Sequence, residues 1–327
     1  MSDYTSLKGL SNFHETQLLE SLGPNIVMFL DWGLTNVGAF NNVKLGNLDI
    51  NGGDRSALKL SADPNYSTGR VWQLPTRNIV WESGVNNNSA VNISGIYVNS
   101  SFLPLNTSGN YAYNIDYKNG RVIFNSGLSS STNVKMEYSH KIIDIKEARE
   151  SKLMQYMQLD GYDTTTTQYS SGSGEASILS PNKIQTPHIA IEITPSINSK
   201  PYEIGSFTEI RDIDILCHVF SNDYIYKEKI GDILINQKEK SFFLLDLDHI
   251  ARSGDFPLDY RGYKKSSVKN YPVLVDYNNN MYREYQARFK NTYVSSNTYI
   301  NYNFKDLIGN GLHHLVIRMT VEIIKTF

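Results

Sequence analysis

A chain of 327 residues with 40% hydrophobic side chains is long enough for two hydrophobic cores. Charged residues are only 20%, with 31 basic against 33 acidic, so there is no global field for steering toward nucleic acid or an anionic membrane. A single cysteine, Cys217, excludes an intramolecular disulfide framework and a cysteine-based zinc cluster within one chain. It sits in the apolar run Ile213-Asp214-Ile215-Leu216-Cys217-His218-Val219 and reads as a buried small hydrophobe. The N-terminus has neither a basic n-region nor an apolar h-region, and no apolar run reaches about 18 residues. The expectation is a chain made and kept in the cytosol until it is assembled or released. The 22 tyrosines suit extended β-surfaces and aromatic-rich subunit interfaces.

Residues 11–31 read as the first helix, with Ser11 or Asn12 as cap, Glu15 in the first turn and Leu18, Leu19 and Leu22 at helical spacing. Pro24 should end or kink it, and Asp31-Trp32-Gly33 should open a loop. Short strands follow around Leu58-Lys59-Leu60 and over residues 69–74, on either side of an Asp63-Pro64-Asn65 turn. Trp72 and Trp81 admit two readings, a sugar-stacking platform or a core or interface aromatic.

Residues 91–145 read as an antiparallel β-module. An apolar segment at Ile93, Ile96 and Val98 breaks at Asn99-Ser100-Ser101 and returns through Phe102 to Leu105. In Tyr113-Asn114-Ile115-Asp116-Tyr117, period-two alternation puts Tyr113, Ile115 and Tyr117 on one face. Lys118-Asn119-Gly120 supplies a tight hairpin turn, Arg121-Val122-Ile123-Phe124 the return strand, and Val134-Lys135-Met136-Glu137-Tyr138 a further strand.

Residues 145–159 have helical composition, and residues 161–174 read as a flexible Thr/Ser/Gly loop. From Pro187 strands alternate with a helix: a strand from His188 to Ile193, another over 210–220, then Ser221-Asn222-Asp223 capping an amphipathic helix over 224–238. On that helix Tyr226, Ile230, Ile233 and Leu234 share a face and Lys227 lies off it. Residues 242–247, 282–292 and 312–324 are further strands, and 251–270 is a polar loop too long for a tight connection.

The fold class is therefore α+β and β-rich: an antiparallel β-module, hairpin or sandwich-like, plus an α+β domain with one long helix on a mostly antiparallel sheet. Residues 1–90 form a helical region with short strands packed with the rest, 91–145 the β-module, 146–186 a helix and flexible loop, and 187–327 the α+β domain.

The pattern Tyr-x-Ile-Asp-Tyr-x-Asn-Gly-Arg-Val-x-Phe, followed by Val-x-Met-Glu-Tyr-Ser, resembles a β-module of structural proteins in tailed bacteriophages. Phe29-Leu30-Asp31-Trp32-Gly33-Leu34, Val80-Trp81-Glu82-Ser83-Gly84-Val85 and Lys200-Pro201-Tyr202-Glu203-Ile204-Gly205 occur in the order seen in what resembles a family of phage neck and tail virion proteins. The resemblance implies a structural protein of the virion neck or tail, a ring-forming tail terminator or tail-completion protein in head–tail joining. Its partners would be further copies in a symmetric ring, a hexamer for preference, and other neck or tail proteins, with no specific nucleic-acid or membrane binding. Candidate interface residues are Trp72, Trp81, Tyr113, Tyr117, Tyr162, Tyr169, Phe256, Tyr260 and Tyr263. The alternatives are a host-recognition adaptor gripping a surface glycan, and a capsid or sheath decoration protein.

An enzyme is not expected, and no catalytic, cofactor or metal residue is assigned. No Gly-x-Ser-x-Gly, phosphate-binding glycine loop or His-Glu-x-x-His occurs. Asp246-Leu247-Asp248-His249 and Arg211-Asp212-Ile213-Asp214 read as solvated carboxylates of strands rather than metal ligands, and the imidazoles of His313 and His314 should point to opposite faces of a strand.

Overall fold

The computed structural model describes residues 18–49, 52–82, 90–151, 153–154, 185–203, 208–265, 283–300 and 312–326. In chain order the elements are helix α1 (Leu18–Asn36) and strands β1 (Phe40–Val43), β2 (Ala57–Leu60), β3 (Val71–Gln73), β4 (Gly95–Val98), β5 (Ser101–Pro104), β6 (Tyr113–Asp116), β7 (Arg121–Phe124), β8 (Val134–Lys135), β9 (Tyr138–Lys141) and β10 (Asp144–Glu147). After them come β11 (His188–Pro201), β12 (Thr208–Ser221), helix α2 (Tyr224–Ile235), β13 (Ser241–Leu245), helix α3 (Leu247–Arg252), β14 (Arg283–Ile300) and β15 (Leu312–Thr326). The fold is α+β and β-rich, as its sequence pattern predicts.

Two sheets carry two cores. The first has the order β5-β4-β8-β2-β3-β7-β6, so β2 and β3 complete the module that the later hairpins begin. Its core contains Trp72, Leu74, Ile96, Tyr113, Ile115, Tyr117, Phe124, Met136 and Tyr138. The two hairpin turns follow from local chemistry. Asn99 and Ser100 take φ of 48° and 70° between β4 and β5. Gly120 has φ 65°, and a Cβ there would lie 2.1 Å from the Thr76 carbonyl oxygen. Buried Asp116 locks the second turn, accepting from the Asn119 backbone N–H at 3.0 Å and from Arg121 Nη2 at 2.7 Å.

The second sheet has the order β10-β11-β12-β15-β14-β13, antiparallel except for the parallel β10–β11 pair. Strict alternation along β12 and β15 sends Ile213, Ile215, Cys217, Val219, Leu315, Ile317, Met319, Val321 and Ile323 to one face, which α1 and α2 cover together. His314 lies on the other face beside His218 and Phe220, while His313 meets Tyr224 of α2 edge-on, so the two imidazoles do diverge.

Several local expectations are corrected. Pro24 lies inside α1, which continues through Asp31-Trp32-Gly33 to Asn36. The stripe Leu18, Leu22, Ile26, Leu30, Leu34 stays buried throughout, and that burial outweighs the breaker. Buried Asn25 further fixes the helix, donating to the Leu245 carbonyl and accepting from the Leu245 N–H, at 2.9 and 2.8 Å.

The segment expected as a helix from residue 145 begins as strand β10, because residues 144–147 find parallel partners in residues 188–191. Its part beyond 154 lies outside the described residues. Asp246 is not a strand-end carboxylate but the N-cap of α3, accepting from the His249 N–H at 2.9 Å. Asp223 caps α2 as expected, yet Lys227 lies on its buried face, reaching Asn297 Oδ1 at 2.7 Å, while Tyr226 is exposed.

Ile317 sits fully buried at the centre of the larger core. Ile317→Ala should cost about 2–5 kcal/mol through lost contacts and the cavity left behind, read as a lower urea midpoint at unchanged slope.

Candidate functional site at the junction of the two sheets

The β9–β10 connection carries the chain from the two-stranded β1–β9 sheet, whose Tyr138 belongs to the smaller core, to the six-stranded sheet, and a seam of buried polar groups lines this crossing. Lys141, the last residue of β9, is 6% exposed. Its Nζ donates to Asp31 Oδ2 of α1 and to Glu82 Oε1 of the segment after β3, each at 2.5 Å. The ring of Trp81 lies 5.7 Å from the same Nζ. Burial works against the ammonium, but the charges of Asp31 and Glu82 outweigh it and raise Lys141 above the ordinary lysine value. Burial, with Asp31 adding to it, raises Glu82 despite the attraction of Lys141. Helix α1 and the segment after β3 thus contribute one carboxylate each to a single lysine.

The seam continues through Asn78 and Gln185. Asn78 accepts at its carbonyl from the Lys141 N–H at 2.8 Å and donates through Nδ2 to Asp144 Oδ1 at 2.7 Å. Gln185 Nε2 donates to the Lys141 carbonyl at 2.8 Å. At the far end Asp144 Oδ2 lies 3.1 Å from His188 Nδ1, and His188 Nε2 lies 2.7 Å from Ser151 Oγ.

This is a Ser–His–Asp hydrogen-bonded row that the sequence analysis missed. Its members come from three separate segments, and only the cross-strand register of Asp144 with His188 would have brought two of them together. A serine nucleophile must be reached by its substrate. Ser151 has no exposed surface, His188 is 2% exposed, and Met154, Ala190, Phe220 and Leu312 form an apolar cluster beside them. The row therefore serves as satisfied buried polar structure that pins the segment after β10 to β11. Burial would push Asp144 up, but bonds and charges from His188 and Lys146 outweigh it and hold the carboxyl well below the usual range.

The predicted interface residues separate into three groups. Trp72, Tyr113 and Tyr117 are a correction: all three are core, at 2, 6 and 6% exposed. The Trp72 Nε1 donates to the Gly69 carbonyl and the Tyr113 hydroxyl to the Leu103 carbonyl, so their polar tips are satisfied inside the chain. Trp81 and Phe256 pack together at 6.3 Å, inside one chain rather than between copies. Around them residues 251–265 form a strap, in which Leu258 packs on the smaller core and the Gly262 carbonyl accepts from the Tyr117 N–H at 3.1 Å. Tyr263 is half-buried in this strap, and Tyr260 beside it is 94% exposed. Tyr162 and Tyr169 lie outside the described residues, as does the 161–174 loop.

The face of the six-stranded sheet turned away from α1 and α2 carries a row of buried stacked rings, with Phe220 and His314 at 4.5 Å and His314 and His218 at 5.4 Å. Beyond them Asp214 binds Arg318 and Thr320, and Lys290 joins Asp212 to Glu322. Its β14 edge is paired to β13 as far as Arg288, after which the Phe289 N–H donates to the Lys240 carbonyl and the Phe289 carbonyl accepts from the Glu239 N–H. Over residues 291–300 no described strand covers it, and Tyr293 and Val294 are nearly half exposed. Among the described residues no group of three or more His, Cys, Asp or Glu could hold a metal ion, and no helix is long and apolar enough to cross a membrane.

No protein-family model, curated protein or solved structure matches the chain.

The seam and the ring row make stability depend on pH in two windows. Burial foremost pushes His140 and His314 down to about 4, with His218 adding to the shift of His314. The unfolded chain, whose histidines titrate near 6.5, takes up protons that the folded chain excludes, so stability falls as pH drops from about 6.5 to about 4. Asp144, depressed in the fold, adds a further loss below about pH 4, the unfolded carboxylate value. Urea midpoints across pH 3–7 check this: His140→Gln/His314→Gln should flatten the upper window, and Asp144→Asn the lower.

Proposed function

We propose that the protein is a non-enzymatic structural component of a tailed-bacteriophage virion, a ring-forming tail terminator or tail-completion protein at the neck or tail. The observation that carries this reading is the edge of β14 over residues 291–300, which no described strand covers. Residues 291–300, Asn-Thr-Tyr-Val-Ser-Ser-Asn-Thr-Tyr-Ile, contain no proline and no charge and are rich in strand-forming side chains. Chains that stay monomeric blunt such an edge with charges, prolines or a cover. The opposite edge of the same sheet is blunted in this way: β10 covers the start of β11, and Lys200 and Pro201 lie at its end.

An edge left ready for pairing suits a subunit that adds strands to a neighbour. A contact between this edge and a different patch of the next copy is heterologous and closes into a ring when the rotation permits. The seam supports the same reading, because it ties both sheets into one body able to transmit load between neighbours. The glycan-binding alternative needs open indoles, and Trp72 is buried while Trp81 packs on Phe256 and beside Lys141.

Native mass and negative-stain images of the full chain, alone and mixed with tail tubes of the same virus, test this reading. A closed ring, six-membered in the expected case, should cap tube ends. Tyr293→Lys/Val294→Lys should leave the urea midpoint within about 0.5 kcal/mol of the parent and abolish ring formation. A monomer or trimer that ignores tubes and binds host cells would overturn the reading.

A further inference from the structure

Lys141, Asp31 and Glu82 present a reactive arrangement as well as an ionic one. One amine touches two carboxyl groups at 2.5 Å, with Glu82 fully buried at its side chain, Lys141 nearly so, and Trp81 over the amine. Asp31 is the only member with appreciable exposure, 27% of its side chain. The Asp31 carboxyl carbon is one bond beyond the oxygen that Nζ already contacts. We propose that Lys141 condenses with Asp31 to form an intramolecular isopeptide bond, with Glu82 as the proton-transfer group.

The chemistry balances without a co-reactant. With Glu82 protonated, one proton moves from the Lys141 ammonium to the Asp31 carboxylate, which turns an ion pair beside a neutral acid into an amine and two neutral carboxylic acids. The ion pair is the resting form, because Asp31 and Glu82 outweigh the burial of the ammonium, and the neutral pair is the minor form that reacts. The Nζ lone pair then adds to Cγ of Asp31. Glu82 accepts a proton from the nitrogen through one oxygen and delivers one to the departing hydroxyl through its carboxyl group. The C–O bond breaks, the N–C amide bond remains, and Glu82 returns to its starting state. The water formed leaves by the exposed side of Asp31. Orientation supplies most of what such a condensation otherwise lacks, since the reacting groups are held together by the fold. The bond would join α1, which covers the six-stranded sheet, to β9, whose Tyr138 belongs to the smaller core.

The mass of the intact, denatured full chain and a peptide map decide the matter. The expected result is a mass one water below that of the processed sequence, and a branched peptide joining the Asp31 segment to the Lys141 segment. Asp31→Asn should lose ammonia instead of water on condensing, Asp31→Ala should stay linear, and Glu82→Gln should show strongly reduced cross-linking while retaining the circular dichroism of the parent. A native chain at full mass with linear Asp31 and Lys141 peptides overturns the proposal whether or not the variants fold. A branch from Lys141 to Glu82 overturns the choice of Asp31, and full cross-linking in Glu82→Gln overturns the role of Glu82.

Discussion

A lysine ammonium buried between two hydrophobic cores is stable only where both of its carboxylate partners are held in place, and here those partners come from different parts of the fold. Asp31 is fixed by a helix whose leucine stripe is buried on the six-stranded sheet, and Glu82 by the segment that leaves the seven-stranded sheet. Removing one partner from a buried ion pair leaves an uncompensated charge, a loss of about 3–5 kcal/mol. The mutual placement of the two sheets is therefore coupled to one amine. Sliding one core against the other would strand it.

Around this point the seam works by satisfaction more than by strength. Asn78, Gln185, Asp144, His188 and Ser151 each complete one another's hydrogen bonds, and the strap at residues 251–265 closes the outer side with Phe256 on Trp81. A hydrophobic joint of the same area would tolerate many orientations. A joint made of directional donors and acceptors tolerates few, because each misalignment leaves a buried polar group without a partner.

What could be read from the sequence follows the range of the physics involved. The turn at Lys118-Asn119-Gly120, the face shared by Tyr113, Ile115 and Tyr117, the Asp223 cap and the divergence of His313 from His314 are local, and each is set by residues a few positions apart. Pro24 and β10 misled because distant partners decide them: a sheet under α1 in one case, a parallel neighbour more than forty residues later in the other. Tyr113, Tyr117 and Trp72, offered as interface residues, show the same limit. Alternation tells that a side chain faces one way, not whether that way leads to solvent, to a core or to another copy. The seam itself left only a faint trace, since Asp31 and Glu82 lie in recognisable stretches while nothing in Ser139-His140-Lys141 marks the lysine that unites them.

Cys217 lies fully buried in the middle of the β12–β15 pair, its sulfur 3.5 Å from that of Met319, and burial pushes its thiol up to about 12. A thiol in that state does not react from the folded chain, because neither reagent nor hydroxide reaches it. The molecule therefore contains its own clock. Each alkylation of its one thiol records an opening of the central strand pair, so the rate of labelling measures how often the sheet comes apart without any probe having to be introduced.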